Sequence, residues 1–306
     1  MHHKCSLIAV LCAPMLLCFG CKADIKDRAY AETLAVHLSN TAQGTICYGE
    51  KLTETTAQTA ALLPDALRQA SGTAIYTGHL TTLLLSGKPF ATLLSLSESQ
   101  WVAPDCTVIC TQKNAANLLA ASKEDMQSLY TQAVKSGTVP LYHAGEILGM
   151  LQNGAQIAAM PYYLAEGFAL ALYDASDQQY GILSDAACRG AALYSNAWEK
   201  FQFAAEDTTC TLTRSNIACT VAETETGLFL TVECRARCDI PSKAAEAVIE
   251  AYLTAALQET LSHGADLFFL QERALRDGIT WAADASPAVW QAALRQATFS
   301  VTVSLS

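Results

Sequence analysis

From 227 to 238 the chain alternates apolar and polar positions without a break. Leu228, Leu230, Val232, Cys234, Ala236 and Cys238 fall on one side, and Phe229, Thr231, Glu233, Arg235 and Arg237 fall on the other. A period of two marks a strand with one face on a core, and an antiparallel sheet is the usual home of such a strand. Shorter runs at 190–194, 201–205, 209–213 and 217–221 predict its companions, with Ser215-Asn216 read as the turn of a hairpin. Ser242 then stands where a helix cap would, followed by Ile249, Leu253, Leu257 and Leu261 at helical spacing and by Gly264 as the stop. Helices over 266–276 and 287–296 and a strand over 299–305 complete this half.

The first half is patterned in shorter pieces. Ala60, Leu63, Leu67 and Ala70 share one helical face, with Pro64 at a new first turn and Gly72 beyond the end. Apolar runs at 80–85 and 106–111 predict strands, 115–120 and 124–133 predict helices, and Val139-Pro140 opens a segment running to 152. The stretches 29–38 and 161–172 fit either strand or helix. The predicted class is α+β: mixed short strands and helices in the N-terminal half, and an antiparallel sheet packed by a long helix in the C-terminal domain.

Residues 1–20 have a different character. His2-His3-Lys4 precede an apolar run from Leu7 to Phe19 that only Pro14 interrupts. About thirteen residues cannot cross a hydrocarbon core of roughly 30 Å, so this is an export signal and not a membrane span. Gly20-Cys21 is the small-residue–cysteine junction that lipoprotein processing requires, and Cys21 is the expected lipidation site; the alternative is a plain signal peptide cleaved nearby, with Cys21 an ordinary residue. Cys18 occupies the position where such signals usually carry leucine.

Composition changes the picture mainly by exclusion. A net charge of −10 with no Lys/Arg cluster argues against nucleic acid, which needs a basic stripe. It also argues against docking on anionic lipid through a polybasic surface, so membrane attachment has to come from a covalent lipid or a partner. With hydrophobic residues at 51%, the chain should be folded and not a polar tail.

Eight cysteines follow Cys21: Cys47, Cys106, Cys110, Cys188, Cys210, Cys219, Cys234 and Cys238. Cys106/Cys110 and Cys234/Cys238 sit four apart on single strands, too far apart to bridge and too widely spaced for the usual zinc knuckle. Most of the eight read as small buried hydrophobes. Cys210 and Cys219, flanking the predicted hairpin, are the best candidate disulfide.

Catalytic signatures are missing. There is no Gly-x-Ser-x-Gly, His-Glu-x-x-His, phosphate loop or dinucleotide fingerprint. His143 and Glu146, three apart, lack a third ligand. His79 reads as a buried histidine bonded to backbone, Asp266 as a helix cap, and Arg235 and Arg237 as a solvated face. No catalytic residue, metal or cofactor is expected.

Five segments in order resemble the Ger(x)C family, the C subunits of nutrient germinant receptors. They are Cys21 with Asp27-Arg28-Ala29-Tyr30; Ala66 to Gly72 with Tyr76-Thr77-Gly78-His79-Leu80 and Leu83 to Gly87; Thr107-Val108-Ile109 with Ala115 to Leu119; Gly190-Ala191-Ala192-Leu193-Tyr194; and Gly264-Ala265-Asp266-Leu267-Phe268 with Trp290 and the closing strand. Lys22-Ala23-Asp24-Ile25 stands where that family carries Trp-Asp-Arg-Arg. The resemblance implies a signal peptide over 1–20, an N-terminal domain over 21–185 and a C-terminal domain over 186–306. It further implies a non-enzymatic lipoprotein on the extracytoplasmic face of the spore inner membrane, beside A- and B-type integral-membrane subunits. The alternative is a lipid-anchored solute-binding protein of a transporter, which the two unlike halves fit less well.

Overall fold

The computed structural model describes residues 29–121, 126–152, 157–165 and 167–306, so the export signal and Cys21 lie outside the described residues. The described part opens with a short strand β1 (Ala29–Tyr30), then an antiparallel meander β2 (Thr33–Leu38), β3 (Ala42–Tyr48) and β4 (Lys51–Ala57). Helix α1 (Leu63–Ser71) follows, with Pro64 in its first turn and Gly72 ending it at φ +64°. In that left-handed region glycine carries no Cβ penalty. Then come β5 (Ile75–Tyr76), β6 (Thr82–Ser86), α2 (Pro89–Glu98), β7 (Thr107–Thr111), α3 (Ala115–Ala121), α4 (Met126–Lys135) and α5 (Ala144–Gln152). The hairpin β8 (Ile157–Leu164) and β9 (Gly167–Asp174), with β10 (Gln179–Ile182), closes this half.

These strands make an eight-stranded sheet in the order β10-β9-β8-β7-β6-β2-β3-β4, while β1 pairs separately with β5. The four middle strands run parallel, and the flanking hairpins are antiparallel. All five residues of both β6 and β7 are buried, which is why these segments read as unbroken apolar runs and not as alternators.

Next, α6 (Asp185–Ser195) leads to β11 (Phe201–Ala205), β12 (Thr208–Thr224) and β13 (Gly227–Cys238). The long helix α7 (Lys243–His263), the shorter α8 (Leu270–Arg276) and α9 (Pro287–Gln296), and the strand β14 (Thr298–Leu305) follow. Ser242 caps α7 by accepting from Ala245 N, and Gly264 closes it at φ +72°. The four-stranded sheet has the order β11-β12-β13-β14. Its apolar face, from β13 residues Leu228 to Cys238 at every second position, is buried as the alternation predicts.

Four expectations need correction. Residues 190–194 are not a strand but the second half of α6, which Ser184 caps through Ala187 N. The sheet is not wholly antiparallel, because β14 runs parallel to β13. There is no turn at Ser215-Asn216: β12 is one strand, and Cys210 and Cys219 are both unpaired residues within it. Nine residues of strand put them about 30 Å apart, which rules out a bridge between them. The fourth is His79, which is exposed and rests among the rings of Tyr30 and Tyr76 at 5.3 and 5.8 Å.

A bulge between Leu212 and Arg214 shifts the register of β12 against β13. Before it Cys210 and Leu212 face inward; after it Ser215, Cys219 and Val221 do. The extra residue is what allows two cysteines an odd number apart to face the same side. The two ends of this buried face meet different cores. Cys210, Leu212, Cys234 and Cys238 pack with Phe201, Ile249 and Leu253, whereas Cys219, Val221, Leu230 and Val232 join the larger core shared with the eight-stranded sheet.

Candidate functional site

A cleft of about 370 Å³ lies where the segment leading into α5, the end of α6 and the loop after α7 come together. Its size falls within the range of small-molecule sites. His143, Glu146, Tyr194, Ser195 and Phe269 are among its lining residues. His143 and Glu146 do meet, but through the main chain: His143 N donates to Glu146 Oε2 at 2.8 Å, so the carboxylate caps α5 and does not share a ligand with the ring. The Nδ1 atom of His143 is buried without a hydrogen-bond partner among the described residues.

Asp266 anchors the loop that supplies Leu267 and Phe269 to the cleft. Its Oδ1 accepts from Leu270 N at 2.6 Å, and its Oδ2 accepts from Gln271 N at 3.0 Å and from Trp290 Nε1 at 3.1 Å. The capping role expected of Asp266 is therefore present, but the helix it serves begins at Leu270. Burial raises the Asp266 pKa above the usual carboxylate value, against the opposing pull of the three donors. Those contacts also explain Phe269, which sits at φ +53°, a region costly for a bulky side chain. Tyr194 stacks edge-on against Phe268 at 4.5 Å, and the Arg273 guanidinium lies over the Tyr194 ring at 5.2 Å.

A second polar feature is the solvent face of the four-stranded sheet. Arg235 and Arg237 are exposed there, as the alternation requires, and Arg214 joins them. Arg214 lies directly opposite Arg237 across the β12–β13 ladder, and Asn216 lies opposite Arg235. With Ser304 and Ser306 they border a shallow hollow of about 450 Å³. Glu233 pairs with Arg235 at 3.4 Å; among the described residues no carboxylate pairs with Arg214 or Arg237. Guanidinium groups held open in this way suit bidentate contact with carboxylates. Arg214 was not foreseeable from the pattern, because a turn at Ser215-Asn216 would have carried it out of the sheet.

No protein-family model matches the chain, and no curated protein does. Among solved structures, the crystal structure of the GerBC protein superposes with a TM-score of 0.56, covering 89% of this chain and 96% of that one at 11% identity. At that identity the likeness is one of fold, and it is the fold that the resemblance to the Ger(x)C family implied. An uncharacterized protein with similarity to peptidase YEAZ from Pseudomonas aeruginosa overlaps 49% of this chain at 11% identity with a TM-score of 0.20, too low for an argument.

Proposed function

We propose that this chain is the C-type subunit of a nutrient germinant receptor. In this reading it is a non-enzymatic lipoprotein beside A- and B-type integral-membrane subunits, on the extracytoplasmic face of the spore inner membrane. The observation that carries it is the shared fold with the GerBC protein over almost the whole length of both chains. The ordered segments of the Ger(x)C resemblance and the export signal ending at Cys21 support it. Among the described residues no helix is long and apolar enough to cross a membrane. Attachment then runs through a diacylated Cys21, whose two acyl chains anchor stably at roughly 0.8 kcal/mol per buried CH₂. Tyr30 is nine residue steps from Cys21, so the anchor would hold β1 and the Tyr30–Tyr76–His79 cluster within about 30 Å of the bilayer.

The test is affinity purification of the tagged chain from detergent-solubilised spore membranes, with its companions identified by mass spectrometry. Two polytopic proteins should arrive with it. Recovery alone, or with a nucleotide-driven transporter, would replace this reading with that of a solute-binding protein. The anchor has its own check: Cys21→Ala should move the protein to the soluble fraction, and continued membrane attachment would refute lipidation there.

A further inference from the structure

Two thiols and a carboxylate converge at the end of the four-stranded sheet where β13 runs out. The Sγ atoms of Cys210 and Cys238 and a carboxylate oxygen of Asp239 all lie within 4.8 Å of one another. Cys238 Sγ donates to Asp239 Oδ1 at 3.7 Å. We propose that Cys210, Cys238 and Asp239 bind a thiophilic divalent cation of the zinc type.

The distances decide in favour of an ion over a disulfide. Leu212 is the ladder partner of Cys238, so Cys210 lies on the diagonal to Cys238, two residues further along. Diagonal Cβ atoms sit somewhat under about 7–8 Å apart, whereas a disulfide needs about 3.5–4.5 Å. A tetrahedral zinc, with Zn–S about 2.3 Å and Zn–O about 2.1 Å, spaces its ligand atoms about 3.6–3.8 Å apart. That matches the Cys238–Asp239 separation and lies within a small side-chain rotation of the rest.

The surroundings are already arranged. Thr211 N donates to Asp239 Oδ1 at 2.7 Å, and Asp239 N donates back to Thr211 O at 3.1 Å, so the carboxylate is aimed by the ladder itself. An outer contact of this kind fixes a ligand's orientation. The Thr211 amide also holds the Asp239 carboxyl below its usual pKa, which keeps it ionised. Cys210 and Cys238 are almost covered, at 1% and 6% exposure, while Asp239 is exposed, so an ion enters from the Asp239 side with water in the fourth position. Burial raises the Cys238 thiol pKa, and binding must displace its proton. Two S–H bonds break, two metal–sulfur bonds form, and two protons pass to solvent, with no change of oxidation state. The ligands are 28 residues apart in sequence, which is why no knuckle spacing reveals them.

The experiment is a titration of the reduced, metal-free full chain with Cd²⁺, followed by the ultraviolet thiolate-to-metal charge-transfer band, with Zn²⁺ as competitor. The expected result is one ion per chain at this site. Cys210→Ser or Cys238→Ser should abolish it, Asp239→Asn should weaken it about tenfold, and Cys234→Ser should leave it unchanged. Because Asp239→Asn keeps an oxygen for the Thr211 amide, it tests the site even where a cysteine variant folds poorly. As a second readout, Zn²⁺ should protect Cys210 and Cys238 from alkylation, with peptides resolved by mass spectrometry. A band that survives in both cysteine variants would overturn the proposal. So would a Cys210–Cys238 disulfide formed with oxidised glutathione in place of any metal binding.

Discussion

Replacing Asp266 by alanine should be among the most damaging single changes outside the apolar core. Three donors converge on this carboxylate: the buried Leu270 N and Trp290 Nε1, and the half-buried Gln271 N. Trp290 is fully buried and Asp266 is 5% exposed, so water cannot readily take the place of the lost oxygens. At about 1 to 1.5 kcal/mol for each donor left unsatisfied, Asp266→Ala should cost about 3–4.5 kcal/mol. Asp266→Asn should cost less, about 1–2 kcal/mol, because an amide oxygen in the place of Oδ2 still accepts from Gln271 and Trp290 while its NH₂ opposes Leu270 N. The pH dependence separates charge from hydrogen bonding. The folded pKa of Asp266 is raised, so wild type loses stability as pH climbs from the unfolded carboxylate value of about 4 through the folded one. Asparagine cannot ionise, and the gap between wild type and Asp266→Asn should therefore shrink over that window. Urea unfolding read by tryptophan fluorescence gives each difference as a shift in midpoint at constant slope. An alanine cost below about 1 kcal/mol, or a gap that widens with pH, would refute this account.

Two further changes test the packing and the surface. A Cβ on Gly190 would lie 2.1 Å from Tyr252 O, a backbone atom of α7, so Gly190→Ala must push α6 and α7 apart. Overpacking of about 3 kcal/mol, offset by about 1 kcal/mol of helix propensity, leaves a net loss of about 2 kcal/mol in the same unfolding assay; a neutral substitution would contradict the close crossing. Arg214→Thr removes one of two like charges placed directly opposite, and should raise stability by roughly 0.5 kcal/mol, less in high salt. Under the proposed receptor role, the same variant should co-purify less of the membrane subunits if this face meets them, and unchanged recovery would exclude it from that contact.

The C-terminal half was legible wherever one periodicity ran long enough. Residues 227–238 alternate over twelve positions, and every second one is buried. The Ser242 cap and the Gly264 stop bracket α7 where the stripe of Ile249, Leu253, Leu257 and Leu261 places it. Misreadings arose where the period was short or broken. Five apolar residues at 190–194 satisfy a strand and a helix equally well, and the signal that settles the matter, Ser184 at the cap, lies six residues upstream. At 213–214 the alternation changes phase. A turn and a bulge both produce that change in a sequence, and the bulge is what occurs. The direction of β14 was not readable, since the pattern of a strand encodes which face is buried and not which way its neighbour runs.

The sites were harder to read than the fold, because they are made where distant segments meet. Local rules are broken at three places, and such breaks tend to mark function or strain. Asp266 is a buried carboxylate, Phe269 has left-handed backbone, and Arg214 opposes Arg237. The first two compensate each other: the turn at Phe269 delivers Leu270 N and Gln271 N onto Asp266, so both are explained inside the molecule. The opposed arginines have no such internal answer among the described residues. In a chain of net charge −10, concentrating unpaired guanidinium groups on one sheet face costs stability. An acidic surface on a partner would offset that cost, and under the proposed receptor role this makes the face of β12 and β13 the first place to look for a contact with a membrane subunit.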